Sequence, residues 1–160
     1  ASLIDTVKGM HDRLGKVHGQ SLERGYREKG HAYLSRLARR LRLVDNNTLS
    51  PMVDDAESEG KLSPSEATSI LLADAIFSGR RRYDGEPVHV VVEASVTIDR
   101  HDVRRARERA DLLARLVKTP VMAVAAGELV SEPVVEAARQ ADVWVVTDGR
   151  AVDPSEDPEQ

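Results

Sequence analysis

A chain of 160 residues fits one domain of ordinary size with at most an appended helix, and with aromatics at only 3% its core has to be aliphatic. The absence of cysteine excludes a disulfide framework and thiolate metal sites and fits a reducing, cytoplasmic setting. No apolar run approaches the roughly 20 residues that span a bilayer, so a soluble chain without a membrane partner is expected. A net charge of −4 excludes a basic nucleic-acid coat, and any contact with nucleic acid has to come from a local patch.

From the N-terminus, Leu3, Val7, Met10, Leu14, Val17 and Ser21 step by alternating fours and threes, an a/d seam flanked by Asp5, Lys8, Asp12, Arg13 and Lys16. This predicts a coiled coil over 1–21 that makes a homodimer. Gly9, Gly15 and Gly19 cost a helix about 1 kcal/mol each relative to alanine, so the seam is expected to continue from a longer coil upstream. The alternative is an amphipathic helix packed on its own domain. After Ser21 the apolar stripe moves to Leu22, Tyr26, Tyr33, Leu37 and Leu41, which predicts that 22–40 is the first helix of the globular domain.

A short strand is expected at 41–44. Ser50 and Pro51 then open a helix that Gly60 closes, and Ser63, Pro64, Ser65 and Glu66 read as the capping box of a second. Residues 73–80 form a strand, the polar stretch from Gly79 to Pro87 a turn, and 88–96 a second strand. Asp99 or Asp102 caps a long helix to about Val117, with Val103, Ala106, Ala110, Leu113 and Leu116 on its buried stripe and Arg104, Arg105, Arg107, Arg109 and Arg115 elsewhere around it. An unalternating strand follows at 121–125, ended by Gly127. A helix from Ser131 and Pro133, a last strand at 142–146 and a disordered tail over 149–160 complete the chain. Strand and helix alternate, which argues for an α/β sandwich with a mixed central sheet and would also suit a small Rossmann-like fold, though no glycine-rich phosphate loop follows any strand to give a nucleotide-binding reading its chemistry.

The stretch from Leu71 to Val96 carries the chemistry. Side chains alternate along a strand, so Val88, Val90, Val92, Ala94 and Val96 share one face while His89, Val91, Glu93 and Ser95 share the other. On the preceding strand Asp74, Ile76, Ser78 and Arg80 share a face. Pairing as a hairpin brings Asp74 and Glu93 together, two carboxylates in an apolar setting that call for a cation. The alternative on spacing alone is that Asp74 caps a helix-to-strand junction and Glu93 pairs with a turn arginine.

An aspartate on one strand, then a hairpin, then Glu-x-Lys on the next strand followed by helix and strand resembles the PD-(D/E)xK nuclease superfamily. The chain as a whole resembles an uncharacterised bacterial group in which a coiled coil precedes such a nuclease-like domain, on GYREKGHAYLSRLARRL, LLADAIFSGRRR and VVVEASVTIDRHDV. The resemblance implies a restriction-endonuclease-like α/β fold over 22–148. It also implies a site in which Asp74, Glu93 and the Ala94 carbonyl hold Mg²⁺ or Mn²⁺, and an acidic helper from the first helix, with Glu28 first in line and Glu23 second.

Ser95 stands where that superfamily has its catalytic lysine, and the chain has no lysine between Lys61 and Lys118. A replacement cation is expected from Arg80, Arg81 or Arg82, from Arg100, or from His89. Two functions follow. One is a metal-dependent nuclease, with DNA the expected substrate, dimerised by its coil. The other is a catalytically degenerate nuclease fold that serves as a DNA-binding or protein-interaction module.

Overall fold

The computed structural model describes residues 2–156. One sheet of six strands organises the molecule, in the order β1-β2-β3-β4-β5-β6. The strands are β1 (Ala38–Leu43), β2 (Ala75–Arg81), β3 (Pro87–Ile98), β4 (Val121–Val130), β5 (Val143–Thr147) and β6 (Arg150–Val152). β1, β2 and β3 pair antiparallel, β3, β4 and β5 parallel, and β6 antiparallel again. The helices are α1 (Leu3–Tyr33), α2 (Asn46–Ser58), α3 (Pro64–Leu71), α4 (Arg100–Ala114) and α5 (Glu132–Gln140). The mixed sheet that alternation predicts is present. None of these helices, among the described residues, is long and apolar enough to cross a membrane.

Alternation along the strands builds two cores. Ile76, Val91, Ala123, Ala125, Val143 and Val145 lie under α2, α3, α4 and α5. Ala75, Phe77, Val88, Val90, Val92, Val124 and Val146 lie on the opposite face, closed by Tyr26, Leu34 and Leu37 from α1 and the turn that follows it. α1 sits close to the sheet because Gly30 meets the Phe77 ring, where a Cβ would overlap it.

Several boundaries differ from the sequence reading. α1 runs unbroken through Ser21 and Leu22, with a non-helical residue only at Lys29, and ends at Tyr33. The helix expected to reach residue 40 gives way to β1 at Ala38, because ladder pairing with β2 overrides the helical propensity of arginine and leucine. The first part of the seam is solvent-facing: Leu3, Val7, Met10, Leu14 and Val17 are between 52% and 80% exposed.

α2 starts earlier than Ser50, since the Asp45 side chain accepts the Thr48 N–H at 2.9 Å and caps it, leaving Pro51 inside the helix. The Ser63–Glu66 and Asp99–Asp102 capping boxes both form. β2 continues through Gly79 to Arg81. β4 continues through Gly127, whose missing side chain makes room for the Ser95 carbonyl and Ile98 and so does not end the strand. The tail expected to lack order contributes β6 at Arg150–Val152, with the Asp148–Gly149 turn at positive φ. The remainder of that expectation, 157–160, lies outside the described residues.

Candidate functional site

Asp74 is the last residue before β2, and the ladder runs Ala75 opposite Val92 and Ile76 opposite Val91. One further step puts Asp74 opposite Glu93. The two carboxyls are tied by reciprocal backbone bonds: the Asp74 N–H donates to Glu93 Oε2 at 3.1 Å, and the Ala94 N–H donates to Asp74 Oδ2 at 2.8 Å. The N–H and C=O of one extended residue point to the same side. The Ala94 carbonyl therefore faces the side where β2 has ended.

Both carboxyls border an open cleft of about 610 Å³ between α1, the β2–β3 end and the start of α4. α1 contributes Lys16, Gln20 and Glu23 to its wall, α4 contributes Asp102, Arg105 and Arg109, and Ser95 lies at its floor. α1 is held over the cleft by His18, whose Nε2 is 3.0 Å from Glu128 beyond the middle of β4, and by Arg27, whose Nε donates to the Asp74 carbonyl at 2.8 Å.

Glu93 is only 2% exposed, and its Oε1 is ion-paired with Arg109, itself 8% exposed. Arg105 Nε lies 4.0 Å from the same oxygen, and is buried with no hydrogen-bond partner among the described residues. Its Nη2 is held by Asp102 Oδ1 at 2.9 Å. Burial, reinforced by the charge of Asp74, pushes the Glu93 carboxyl up to about 7, against the opposing pull of Arg109, the Asp74 N–H and Arg105. Burial also raises Asp74 above the ordinary range, outweighing the Ala94 N–H, Arg109, Arg105 and Arg27. Glu23 is raised as well, by burial first and Asp74 second. At all three carboxyls the loss of water outweighs the pull of the nearby arginines.

Of the residues singled out from the sequence, Asp74, Glu93, Ala94 and Ser95 come together. Glu28 does not. It is exposed and outside the cleft, because five residues at about 100° each turn it about 140° around α1 from Glu23, which does line the wall. Ser95 Oγ donates to the Thr97 carbonyl at 3.1 Å, turned along its own strand.

None of the expected replacement cations reaches the site. Arg80, Arg81 and Arg82 are at the far end of the hairpin; Arg81 is paired with Asp84 at 2.6 Å, and Arg82 donates to the Ser35 carbonyl. His89 Nδ1 is 2.6 Å from Thr119 Oγ1, with its pKa lowered by burial. Arg100 is exposed and lines no part of the cleft.

The cations are Arg105 and Arg109, one helical turn apart. Their signal was available: Asp102, Arg105 and Arg109 recur at the spacing of the buried stripe of Ala106, Ala110 and Leu113. A charged residue on an apolar stripe asks for a buried partner.

The donor set tests whether a divalent cation suits the site. Its donors are all oxygen, the type that Mg²⁺ and Mn²⁺ take. Asp74 Oδ1 accepts no hydrogen bond among the described residues, whereas Glu93 has both oxygens engaged. No group of three or more His, Cys, Asp or Glu with metal-holding geometry occurs among the described residues. Two carboxylates and a backbone carbonyl are the oxygens the site offers, with Asp74 Oδ1 the carboxylate oxygen left without a hydrogen bond among the described residues. Comparison with protein-family models, with curated proteins and with solved structures finds no match for the chain.

Proposed function

We propose that this cleft is the site of a metal-dependent nuclease of PD-(D/E)xK type, acting on DNA in a reducing cytoplasm. The observation that carries the reading is the Asp74–Glu93 pair, placed opposite one another at the rim of an open cleft and locked by reciprocal backbone bonds. The order of elements supports it. An antiparallel β2–β3 hairpin is followed by α4 and a parallel β4, the succession that a restriction-endonuclease-like fold implies.

Asp74, Glu93 and the Ala94 carbonyl are the groups that would hold Mg²⁺ or Mn²⁺, which when bound supplies a more acidic water and positive charge beside the scissile phosphate. The chain's own residues do the rest. Arg105, whose partly exposed guanidinium lines the cleft, takes the lysine's charge-stabilising role toward a phosphate oxygen, and Arg109 positions Glu93. An arginine does not accept a proton, so that duty falls to Glu23, whose raised pKa suits it to hold one. Two copies joined along the exposed seam of Leu3, Val7, Met10, Leu14 and Val17 would carry two such sites at a fixed separation.

The Glu93–Arg109 ion pair and the lysine's replacement by Ser95 favour a second reading, a degenerate nuclease fold that binds nucleic acid or protein without cleaving it. Cleavage of circular and linear DNA and of RNA with Mg²⁺ or Mn²⁺ separates the two. Activity that disappears in the Asp74→Ala, Glu93→Ala double variant is the expected result. Parent activity no higher than the variant's under either metal overturns the enzyme and leaves the binding module.

A further inference from the structure

The chain is acidic overall, yet between residues 32 and 44 there is no Asp or Glu and there are four arginines, Arg36, Arg39, Arg40 and Arg42. Three of these lie on β1, the edge strand. In the ladder Arg39 stands directly opposite Arg80, and Arg42 opposite Ser78. Residues opposite one another across a ladder point to the same face. Arg39, Arg42, Ser78 and Arg80 therefore share a face.

Three positions apart on a regular strand, Arg39 and Arg42 would point to opposite faces. They do not, because the register slips between them, and Arg40 within the slip takes a φ of 54°, a left-handed conformation unusual for a residue with a side chain. A strained bulge thus gathers the arginines onto one side of the edge. Like charges directly opposite one another destabilise a sheet, and left-handed backbone outside glycine costs a further 1 kcal/mol or so. Both costs fall on one stretch.

No carboxylate among the described residues offsets them. The nearby Asp84 is taken by Arg81, while Arg39, Arg40, Arg42 and Arg80 have no ion-pair partner among the described residues, Arg80 donating only to the Gly85 carbonyl. All four are exposed. The planar guanidinium forks suit phosphate oxygens, and a row of them on an edge matches a polyanion.

We infer that the β1–β2 edge, through Arg39, Arg42 and Arg80, is a docking surface for the phosphate backbone of nucleic acid, separate from the carboxylate cleft. The inference rests on the nucleic-acid part of the proposed function and not on cleavage. It also relocates the basic patch, since two of the three turn arginines, Arg81 and Arg82, are occupied within the fold.

The test is fluorescence anisotropy of labelled duplex DNA and duplex RNA, in EDTA to stop hydrolysis, across a salt series. The Arg39→Gln, Arg42→Gln, Arg80→Gln variant should bind about ten-fold more weakly, with a log–log salt slope smaller by about 2 to 3, close to 0.9 per lost phosphate contact. Charge-preserving lysine substitutions at the same three positions should keep most of the slope, and Arg100→Gln, Arg104→Gln at exposed sites on α4 should match the parent. An unchanged slope in the glutamine variant overturns the inference. So does binding of poly-glutamate as tight as that of DNA, which would make the surface a site for acidic protein. A parallel cleavage assay of the parent with Mg²⁺ or Mn²⁺ separates the two proposals: full salt-dependent binding by a parent that does not cleave would sink the nuclease and leave the docking surface standing.

Discussion

The two ends of the β2–β3 hairpin solve opposite electrostatic problems. At the Asp74–Glu93 end the charges are acidic, withdrawn from water and met by arginines brought in from α4. At the Arg80 end the charges are basic, exposed and set against further arginines on β1. A buried charge dictates the structure around it, because leaving it without a partner is expensive; an exposed charge is screened and constrains the fold little. If the proposed ligands bind, the first end does so by exchanging partners and the second by acquiring one.

The widest gap between the ends should appear on removing a cation from each. Arg109→Ala leaves Glu93 buried beside Asp74 without its ion pair and is expected to cost about 3–5 kcal/mol in urea unfolding, whereas Arg80→Ala should be close to neutral. Equal, small losses at both positions would show that the buried pair is not holding the fold.

A second difference is in pH. The folded Glu93 carboxyl lies near 7, above its unfolded value of 4.5, so between these the folded state holds the extra proton. Its contribution is full below about 4.5 and is lost as pH rises through 7. Stability of the parent relative to Glu93→Gln should therefore increase by about 2 kcal/mol as pH falls from 8 to 5, because one extra bound proton is worth up to roughly 1.4 kcal/mol for each pH step. A difference that stays flat over this range would mean that Glu93 titrates as an ordinary glutamate.

The floor of the cleft gives a third contrast. Gly127→Ala drives a Cβ against the Ser95 carbonyl and Ile98, and a loss of about 1–3 kcal/mol is expected, accompanied by weaker function at the carboxylate end and unaltered affinity at the arginine edge. Thermal melts together with DNA affinity check both halves; an affinity that falls in step with stability would deny the separation of the two ends.

The smallest effect belongs to the edge. Arg39→Gln relieves a like-charge pair and should raise stability by a few tenths of a kcal/mol, read as a slightly higher Tm at low salt. A lower Tm would mean that Arg39 makes a stabilising contact.

Much of the acidic end was legible from sequence. Strand alternation and hairpin pairing are local rules, and they suffice to set Asp74 opposite Glu93 and to carry Ser95 on the same face as Glu93. The mixed sheet and the capping boxes follow from equally local signals. Arg105 and Arg109 were not found, because helical arginines are most often solvated and only the packing of α4 on β3 buries Arg109 and brings Arg105 beside Glu93. Glu28 was preferred to Glu23 without knowledge of which face of α1 turns to the sheet, and that phase is set by the contacts of Tyr26 and Gly30 with the opposite core. The β1 edge was hidden by its own composition. Arginine and leucine read as helix, and the ladder with β2, including its bulge, is a tertiary fact.

Everything proposed for the acidic end depends on the Asp74–Glu93 pair taking a divalent cation, and the thermal midpoint under a Mn²⁺ titration reports on that binding without requiring cleavage. A ligand bound only by the folded state raises Tm with occupancy, so the parent should show a saturating rise that Asp74→Asn abolishes. The same rise in parent and variant, or none in the parent at millimolar Mn²⁺, would contradict it.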